Sequence, residues 1–352
     1  MNMNKFLSEI LEQPLAIQNL LDYYRSEYGK LSLIEAEKLL KENDIQQVVF
    51  TGMGSSFFIS HAASGLFNEM NILSFVINTS ELLHYNLSIL NRKTLLVCIS
   101  QSGESFEIRE ILRKLPDTVC SIGIMNEENS TLAKNANVAL FTKGGKEEMT
   151  STKTYVLTSL VTYILAHAIN NSFNNKILMG IEQLKCSFTE SLKEYKNWLN
   201  EIVDFLGDLQ TIQIIARGPS FSTACQSALM FKEALQIPAA GILGGEFRHG
   251  PMEMVNEGFK SILFIPKGRT QEQSVKMAKD IVAFGGKVLV ITNEKLYCES
   301  KNMAQFYINQ PDEYLFSIQS ILPVQLFVDE YAKTKGYEAG SFSKGAKVTE
   351  IE

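Results

Sequence analysis

Short apolar segments rich in β-branched residues recur along the chain, separated by longer stretches whose hydrophobic residues follow a helical spacing. Within each short segment the hydrophobic residues are continuous, which is typical of parallel strands that helices cover on both faces. We predict strands at residues 47–51, 94–100, 119–125, 212–216, 262–266 and 288–292. The pattern therefore predicts an α/β fold.

Landmarks at the ends of the first three predicted strands recur in the second half of the chain, at offsets of 164, 166 and 167 residues. The matched pairs are Gly54 with Gly218, Ser100 with Pro266, and Asn126 with Asn293. An almost constant offset indicates that one α/β unit has been duplicated. We predict two tandem, doubly wound domains, each built on a parallel sheet.

The domain boundaries follow from this division. A polar stretch between the halves has hydrophobic residues at helical spacing, from Leu184 to Leu199, and is predicted to be a connecting helix. The predicted parts are an N-terminal helical segment (1–30), a first domain (31–172), a helical connector (173–205), a second domain (206–340) and a C-terminal tail (341–352).

The length of 352 residues is sufficient for two domains, each with its own hydrophobic core. The chain has 33 Lys and Arg against 39 Asp and Glu, which gives a net charge of −6. Its lysines are scattered over mixed segments and form no basic stripe. We therefore expect no nucleic-acid partner.

The spacing of the cysteines indicates whether they could ligate a metal, and the hydropathy of the chain indicates whether it enters a membrane or is secreted. The five cysteines lie far apart and form no Cys-x-x-Cys pair, which disfavours a cysteine-ligated metal. Cys98 lies in an apolar run and is predicted to be buried in a strand. The N-terminus shows no secretion signal, and the most hydrophobic stretch, residues 155–169, is too short to span a bilayer. We expect a buried helix there, a cytoplasmic protein and no membrane partner.

Residues that could bind a ligand lie at the ends of the predicted strands. Gly52-Met-Gly54-Ser-Ser lacks the third glycine of a dinucleotide loop, because position 57 is Phe, so a nucleotide cofactor is disfavoured. Residues 100–105, Ser-Gln-Ser-Gly-Glu-Ser, place three hydroxyls and an amide where a strand turns into a helix predicted at residues 107–115. Such a turn can bind a phosphate at the helix N-terminus, or it can serve only as a helix cap. The composition leaves both possibilities open.

Three further segments carry reactive side chains. Thr150-Ser-Thr-Lys153 begins an apolar helix, Glu233 is predicted to lie on a helix, and His249 is predicted to lie in a glycine-rich loop. Most isolated helical glutamates face solvent and most isolated histidines are structural. Spacing alone assigns these residues no role.

Eight short motifs, in the same order along nearly the whole chain, resemble the sugar isomerase (SIS) family. They are residues 9–14 (EILEQP), 54–56 (GSS), 100–105 (SQSGES), 150–153 (TSTK), 217–220 (RGPS), 232–233 (KE), 245–251 (GEFRHGP) and 346–347 (AK). The chain looks most like the isomerase half of the glucosamine-6-phosphate synthases. The resemblance implies two doubly wound SIS domains, in agreement with the duplication.

The resemblance also implies a binding site for a sugar phosphate. In the synthases the loop Ser-Gln-Ser-Gly-Glu-Thr binds the 6-phosphate of the sugar, and Ser105 replaces the threonine with its hydroxyl kept. The substrate-binding residues implied in this way are Ser55, Ser56, Ser100, Gln101, Ser102, Ser105 and Ser151.

Three catalytic roles follow from the same resemblance. Glu233 matches the base that moves a proton between C1 and C2, and His249 matches a histidine that helps to open the sugar ring from the partner subunit of a homodimer. Lys347 matches a lysine that forms an imine with the ketose, with Lys344 as the alternative. Side chains can perform this chemistry, so we expect no metal and no organic cofactor.

Two departures from the synthases affect the expected reaction. Met230 stands where the synthases have a second active-site lysine. The SIS-like residues begin within the first dozen positions, so we expect the chain to lack a glutaminase domain and to take no ammonia from glutamine. The leading hypothesis is a sugar-phosphate isomerase or deaminase. The alternatives are a fructosamine 6-phosphate deglycase and a non-catalytic sugar-phosphate sensor, the latter disfavoured by two SIS-like halves and an acidic chain.

Overall fold

A computed structural model describes residues 4–297 and 300–340, which fall into two compact units. The N-terminal unit comprises Glu12–Lys185, and the C-terminal unit comprises residues 4–11 and 186–340. The boundary between them lies within one long helix, Asn175–Leu206.

The first element of the described chain, helix α1 (Lys5–Leu11), belongs to the C-terminal unit. The N-terminal unit then contains α2 (Gln13–Arg25), α3 (Glu27–Glu42), β1 (Gln47–Gly52), α4 (Ser55–Glu69), β2 (Ser74–Asn78), α5 (Thr79–Glu81), a π-helical turn (Leu82–Asn86), a 3₁₀ turn (Leu87–Ile89), β3 (Thr94–Ile99), α6 (Phe106–Lys114), β4 (Cys120–Met125), α7 (Thr131–Asn135), β5 (Val138–Phe141), α8 (Lys153–Ile169) and the start of α9 (Asn175–Leu206).

Within the described residues, the sheet of the N-terminal unit has five parallel strands in the order β2-β1-β3-β4-β5. The strand order reverses direction between β1 and β3, which are paired so that Thr51 stands beside Cys98. Loops that leave the carboxyl ends of two such strands diverge to opposite faces and leave a crevice between them. In this sheet the crevice lies after β1 and β3.

Helices cover both faces of this sheet, and its central strands are buried, β1 at every residue after Gln47 and β3 along its whole length. On one face α6 packs Ile108 and Ile111 against Leu96 of β3. On the other face α4 packs against β1 and β2, with α8 beside it. Each fully buried aliphatic side chain of this kind contributes roughly 1.5 to 3 kcal/mol to folding.

The C-terminal unit repeats this architecture. After α9 it contains β6 (Ile212–Ala216), α10 (Ser220–Leu235), β7 (Ala239–Leu243), α11 (Gly244–Arg248), a 3₁₀ turn (Pro251–Met254), β8 (Lys260–Ile265), α12 (Gln271–Ala283), β9 (Lys287–Thr292), β10 (Met303–Tyr307), α13 (Glu313–Gln319) and α14 (Ile321–Thr334). In the part that the structure describes, its parallel strands follow the order β7-β6-β8-β9-β10, the same succession as in the first sheet. The predicted α/β fold with two doubly wound parallel sheets is confirmed.

All the strands predicted from sequence are present, and their ends agree with the structure to within two residues. The prediction missed β2, β5, β7 and β10, which are the outer strands of the two sheets. Helices cover an outer strand less completely, so its residues alternate between buried and partly exposed, as in β5. These strands therefore lack the continuous apolar run on which the prediction relied.

Helix α8 is buried at every position except His167, which confirms the buried helix predicted at residues 155–169. The predicted connecting helix is also present as α9, with Leu184, Phe188 and Leu199 buried. None of the helices between residues 4 and 297 or 300 and 340 combines the length and the apolar character that crossing a membrane requires.

Candidate functional site

The serine-rich segments of the N-terminal unit lie at the carboxyl edge of its sheet. Ser55 and Ser56 form the first turn of α4, which follows β1, and Ser100–Ser105 connects β3 to α6. Because β1 and β3 are neighbours at the reversal of strand order, these two segments flank the crevice in which doubly wound sheets bind ligands. The fold thus places Ser55 and Ser56 at the same sheet edge as Ser100–Ser105.

The loop after β3 is held by hydrogen bonds that leave its hydroxyl protons available. Ser100 Oγ accepts the N–H of Gly103 at 3.1 Å, and Ser102 Oγ accepts the N–H of Glu104 at 3.2 Å. A serine oxygen that accepts a backbone N–H keeps its own proton to donate. Both hydroxyls can therefore donate to an anion.

The same loop is anchored to the segment that begins α7. Gly103 has φ +63°, and a Cβ at this position would lie 2.3 Å from Ser130 Oγ, so only glycine fits. The carbonyl of Gly103 accepts the N–H of Leu132 at 3.1 Å. The carboxylate of Glu104 accepts the N–H of Thr131 at 2.5 Å and its hydroxyl at 2.9 Å. These contacts fix the loop before any ligand arrives.

Ser105 bears on the cap interpretation that the composition left open. It occupies the N-cap position of α6, but its side chain makes no capping hydrogen bond. Ser105 is partly exposed and directly precedes the first turn of α6, whose N–H groups lack partners within the helix. Ser105 therefore does not cap α6 with its side chain, and its hydroxyl makes none of the capping bonds that a serine at this position commonly makes.

Ser151 lies just before α8, in a loop organised by a buried carboxylate. Glu147 is 5% exposed, and its Oε1 accepts the N–H of Thr152 and the N–H of Thr154, both at 3.0 Å. The hydroxyl of Thr152 donates to Oε1 at 3.2 Å, and that of Thr154 donates to Oε2 at 2.5 Å. The Oγ of Ser151 lies 2.8 Å from Thr154 Oγ1. Glu147 thus caps α8 and holds the segment that contains Ser151.

Asn126, which directly follows β4, joins the two loops. Its backbone N–H donates to the carbonyl of Gln101 at 3.0 Å, and its side-chain oxygen accepts the hydroxyl of Thr142 and the N–H of Gly144, each at 2.9 Å. Its amide nitrogen donates to the carbonyl of Gly145 at 2.9 Å. One asparagine therefore connects the loop of Ser100–Ser105 to the segment that leads to Ser151.

The donors of this site are mainly neutral. The loop of Ser100–Ser105 contains no Lys or Arg. Lys153, which begins α8, is 3% exposed and its Nζ pairs with Glu12 Oε2 at 2.6 Å, so its charge is compensated within the N-terminal unit. On β3, burial raises the pKa of the Cys98 thiol to about 12, which agrees with the predicted buried residue and makes it a poor nucleophile.

The predicted base and histidine lie in the C-terminal unit. Glu233 is in the last turn of α10 and is partly exposed, whereas Met230 on the same helix is fully buried. His249 is exposed and follows α11 directly. The segment predicted to be a loop thus begins with a short helix, which Gly244 and Gly245 start. The sequence prediction missed it because glycine is a poor helix former.

Within the C-terminal unit, Glu233 and His249 lie near opposite ends of β7 and do not contact each other. Glu233 lies just before the amino end of β7, and His249 lies beyond its carboxyl end. Five residues of strand span ~16 Å. The helix α10 that ends near Glu233 starts at the opposite edge of the sheet, after β6.

Lys347 and its alternative Lys344 lie outside the described residues. Over residues 4–297 and 300–340, no group of three or more His, Cys, Asp or Glu is arranged to hold a metal ion.

Sequence reasoning missed three residues that shape the site, namely Glu104, Asn126 and Glu147. Two of them carried a usable signal. Glu147 follows a Gly-Gly turn and precedes an apolar helix, where a carboxylate is favoured by the helix dipole. Asn126 ends a predicted strand at the binding edge. Glu104 bonds to a segment 27 residues away, which no local pattern reveals.

Comparison with known families identifies both halves of the chain. The SIS domain profile matches residues 41–168 and 206–332, which contain the two sheets. A curated relative is the glutamine–fructose-6-phosphate aminotransferase (isomerizing) of Methanothermobacter thermautotrophicus, which is 26% identical over 351 residues. The match covers 98% of this chain and 57% of that protein, so the chain spans little more than half of the relative's length.

Solved structures show the same fold. The C-terminal domain of glucosamine-fructose-6-phosphate aminotransferase from Francisella tularensis superposes with a TM-score of 0.86 at 23% identity, over 96% of this chain and 98% of that one. Glucosamine-6-phosphate deaminase from Thermotoga maritima superposes with a TM-score of 0.76 at 21% identity, over 98% of this chain and 99% of that one.

Proposed function

The chain belongs to the SIS domain family, and from that premise we propose that it is an enzyme of the phosphosugar isomerase type. The substrate we propose is a phosphorylated amino sugar or a ketohexose 6-phosphate, which the enzyme isomerises or deaminates. The observation that carries this proposal is the loop of Ser100–Ser105. Its hydroxyls retain protons to donate, the N-terminus of α6 faces them, and the fold holds the loop in place without a ligand.

A phosphate at this loop suits the chemistry of its donors. Ser100, Ser102 and Ser105 supply O–H groups, and α6 supplies N–H groups and the positive end of its dipole. Neutral donors bind the dianion and still release it, since no fixed cation within the loop holds the product. The phosphate then serves as the anchor that positions the carbon chain for reaction.

The reaction we propose is proton transfer between C1 and C2. Glu233 removes the proton from one carbon as a carboxylate and returns it to the other through an enediol or enolamine. His249 transfers the proton that opens the sugar ring. Lys347, or Lys344 in its place, forms an imine with the ketose carbonyl, which makes the adjacent C–H more acidic.

We further propose that the working enzyme is a homodimer in which His249 serves the partner's site. This is supported by the separation of Glu233 from His249 along β7, since one substrate cannot contact both ends of a strand of ~16 Å. A second copy related by a two-fold axis can supply the missing histidine to each site.

The test is a proton NMR assay in D₂O with a panel of hexosamine, ketohexose and fructosamine 6-phosphates. We expect deuterium to enter at C1 or C2 of one substrate, and Glu233→Gln to abolish this exchange. Ketose, free ammonia or free amine as the product would distinguish isomerase, deaminase and deglycase. If calorimetry detects binding of a sugar phosphate but no deuterium is taken up, the proposed enzymatic activity is wrong and a sugar-phosphate sensor is favoured.

A further inference from the structure

The sheet of the C-terminal unit reverses its strand order between β6 and β8, as the first sheet does between β1 and β3. The segments that leave β6 and β8, residues 217–220 and 267–270, therefore flank a crevice, which we call the second crevice. The first segment leads into α10, a helix of 16 residues, and the other leads into α12, a helix of 13 residues. Both helices thus begin at the second crevice, where each carries the positive end of its dipole.

A carboxylate of the chain itself lies in the second crevice. Glu313 begins α13, which packs against α10. A Cβ built on Gly218, which follows β6, would lie 3.4 Å from Oε1 of Glu313. A Cβ built on Gly268, which follows β8, would lie 3.1 Å from Oε2 of the same residue. The carboxylate of Glu313 therefore stands between the two segments that flank the crevice.

The glycine at position 268 leaves room for this carboxylate. Gly218 has φ +55°, a backbone conformation that favours glycine, whereas Gly268 is not in the left-handed region. The backbone therefore does not require a glycine at position 268. The carboxyl group does, because a Cβ there would also lie 3.3 Å from Cδ of Glu313.

The charges of the flanking segments suit a negatively charged occupant. Arg217 follows β6 directly, and Lys267 and Arg269 follow β8, so three cations lie in these two segments. The loop of Ser100–Ser105 in the first crevice contains no cation. Three cations and two helix N-termini make the second crevice electropositive, and the carboxylate of Glu313 supplies the opposite charge.

A buried hydroxyl adds a hydrogen-bond donor at the start of α10. Ser220 is fully buried, and among the residues that the structure describes its Oγ has no hydrogen-bond partner. Ser220 follows Ser56 by 164 residues, which is the offset at which Gly218 repeats Gly54. The duplication therefore places a serine hydroxyl at the first turn of the helix in both units, and in the second unit that hydroxyl retains its proton to donate.

We infer that the second crevice is an oxyanion site that Glu313 occupies from within the chain, so that the C-terminal unit takes up no phosphate. A carboxylate and a phosphate share the negative charge and the acceptor oxygens that helix N-termini bind. While Glu313 is in place, a phosphate would meet a like charge and would lack room. The inference goes beyond the proposed function, which leaves this crevice unused, and does not depend on it.

Glu313→Ala should open the site to an external anion, because it removes the carboxylate and leaves both flanking segments unchanged. We expect inorganic phosphate at about ten times its dissociation constant to raise the melting temperature of this variant by about 3–5 °C more than that of the wild type. Chloride at the same ionic strength should give no such rise. Equal responses of Glu313→Ala and the wild type to phosphate would overturn the inference.

Glu313→Gln separates the charge from the space, since it fills the crevice with a neutral group. Its melting temperature should lie a few degrees below that of the wild type, because two helix N-termini lose a negative charge. Phosphate should not restore the loss. Glu330→Ala is the matched control, because it removes from α14 of the same unit a carboxylate that pairs with Lys333 at 3.2 Å. Phosphate should stabilise this control no more than the wild type.

Tungstate, a phosphate analogue that anomalous X-ray scattering locates, identifies the place of binding. We expect a tungstate between Gly218 and Gly268 in crystals of Glu313→Ala, and none there in crystals of the wild type or of Glu313→Gln. A second crevice without tungstate in Glu313→Ala would overturn the inference. So would a Glu313→Gln variant as stable as the wild type, a result that does not require Glu313→Ala to fold.

The same crystals distinguish a failure of this inference from a failure of the proposed function. The proposed function expects tungstate at the loop of Ser100–Ser105 in the wild type and in both Glu313 variants. Its absence from that loop, with tungstate present in the second crevice of Glu313→Ala, would count against the proposed function and support the inference. The reverse pattern would support the proposed function and overturn the inference.

Discussion

Glu233 and His249 stand at opposite ends of the same strand, β7, one before its first residue and the other beyond its last. The connection from α10 to β7 is short, so Glu233 is tied to the amino edge of the second sheet. His249 is tied to the carboxyl edge, because α11 follows β7 without a break. Neither residue can move to the other edge without unfolding the strand.

Two inactive variants should therefore restore activity when they are combined. In a heterodimer of Glu233→Gln with His249→Asn, one site carries both substitutions and the other carries neither. After unfolding and refolding an equimolar mixture, half of the dimers are mixed, and activity should recover to about a quarter of the wild-type value. Each variant refolded alone is the control. Recovery no greater than the sum of the two controls would contradict a shared site.

Ser105→Ala should separate ligand binding from stability, because the hydroxyl of Ser105 makes no capping bond. We expect an increase in KM for the sugar phosphate of about ten- to hundred-fold, from the loss of one charge-assisted hydrogen bond, with an unchanged melting temperature. Ser26→Ala is the matched control. Its Oγ caps α3 by accepting the N–H of Gly29, so its removal should cost about 1 kcal/mol of stability and leave KM unchanged. A lower melting temperature for Ser105→Ala would show that Ser105 is a structural cap.

Gly103→Ala should destabilise the loop of Ser100–Ser105 through a steric clash and not only through backbone strain. Gly103 and Gly145 have nearly equal φ values, +63° and +65°, but a Cβ at Gly145 meets nothing within 4 Å. Gly145→Ala should therefore lower the free energy of unfolding only by the strain of an alanine in the left-handed region, about 1 kcal/mol. Gly103→Ala adds the clash with Ser130 and should lower the free energy of unfolding by at least about 2 kcal/mol. We also expect this variant to lose phosphate binding. Denaturant titration of both variants measures the difference, and equal losses would contradict the proposed anchoring of the loop on Ser130.

The sequence was sufficient for the parts of the molecule that a local pattern determines. Continuous apolar runs predicted the inner strands, as at residues 94–100, because helices bury those strands on both faces. The serines that follow β3 were predicted to lie at a strand end and do so, because parallel strands direct their carboxyl ends to one edge. Both inferences depend on residues that are neighbours in the chain.

What the sequence did not reveal depends on contacts between distant residues. The bond from Glu104 to Thr131 requires that α7 return beside the loop after β3. The hydrogen bonds that hold Thr152 and Thr154 at the start of α8 depend on the carboxylate of Glu147, whose burial is decided by tertiary packing. The separation of Glu233 from His249 required the outer strand β7, which the apolar pattern missed. Proximity along the chain is therefore a poor guide to which side chains share a site.

Thiol reactivity offers a test of burial that does not depend on the substrate. Burial raises the pKa of both Cys98 and Cys225 to about 12, whereas the Cys186 side chain on α9 is exposed. At pH 8 a thiol with that pKa is ionised to the extent of only about one part in ten thousand, and only the thiolate reacts with iodoacetamide. Peptide mass spectrometry should therefore find Cys186 alkylated while Cys98 and Cys225 remain protected, and all three should react in denaturant. Helix α10 packs on β7, where a Cβ at Gly241 would lie 2.7 Å from the Cα of Cys225. Alkylation of Cys225 in the native protein as fast as Cys186 would contradict this packing, and the separation of Glu233 from His249 would lose its support.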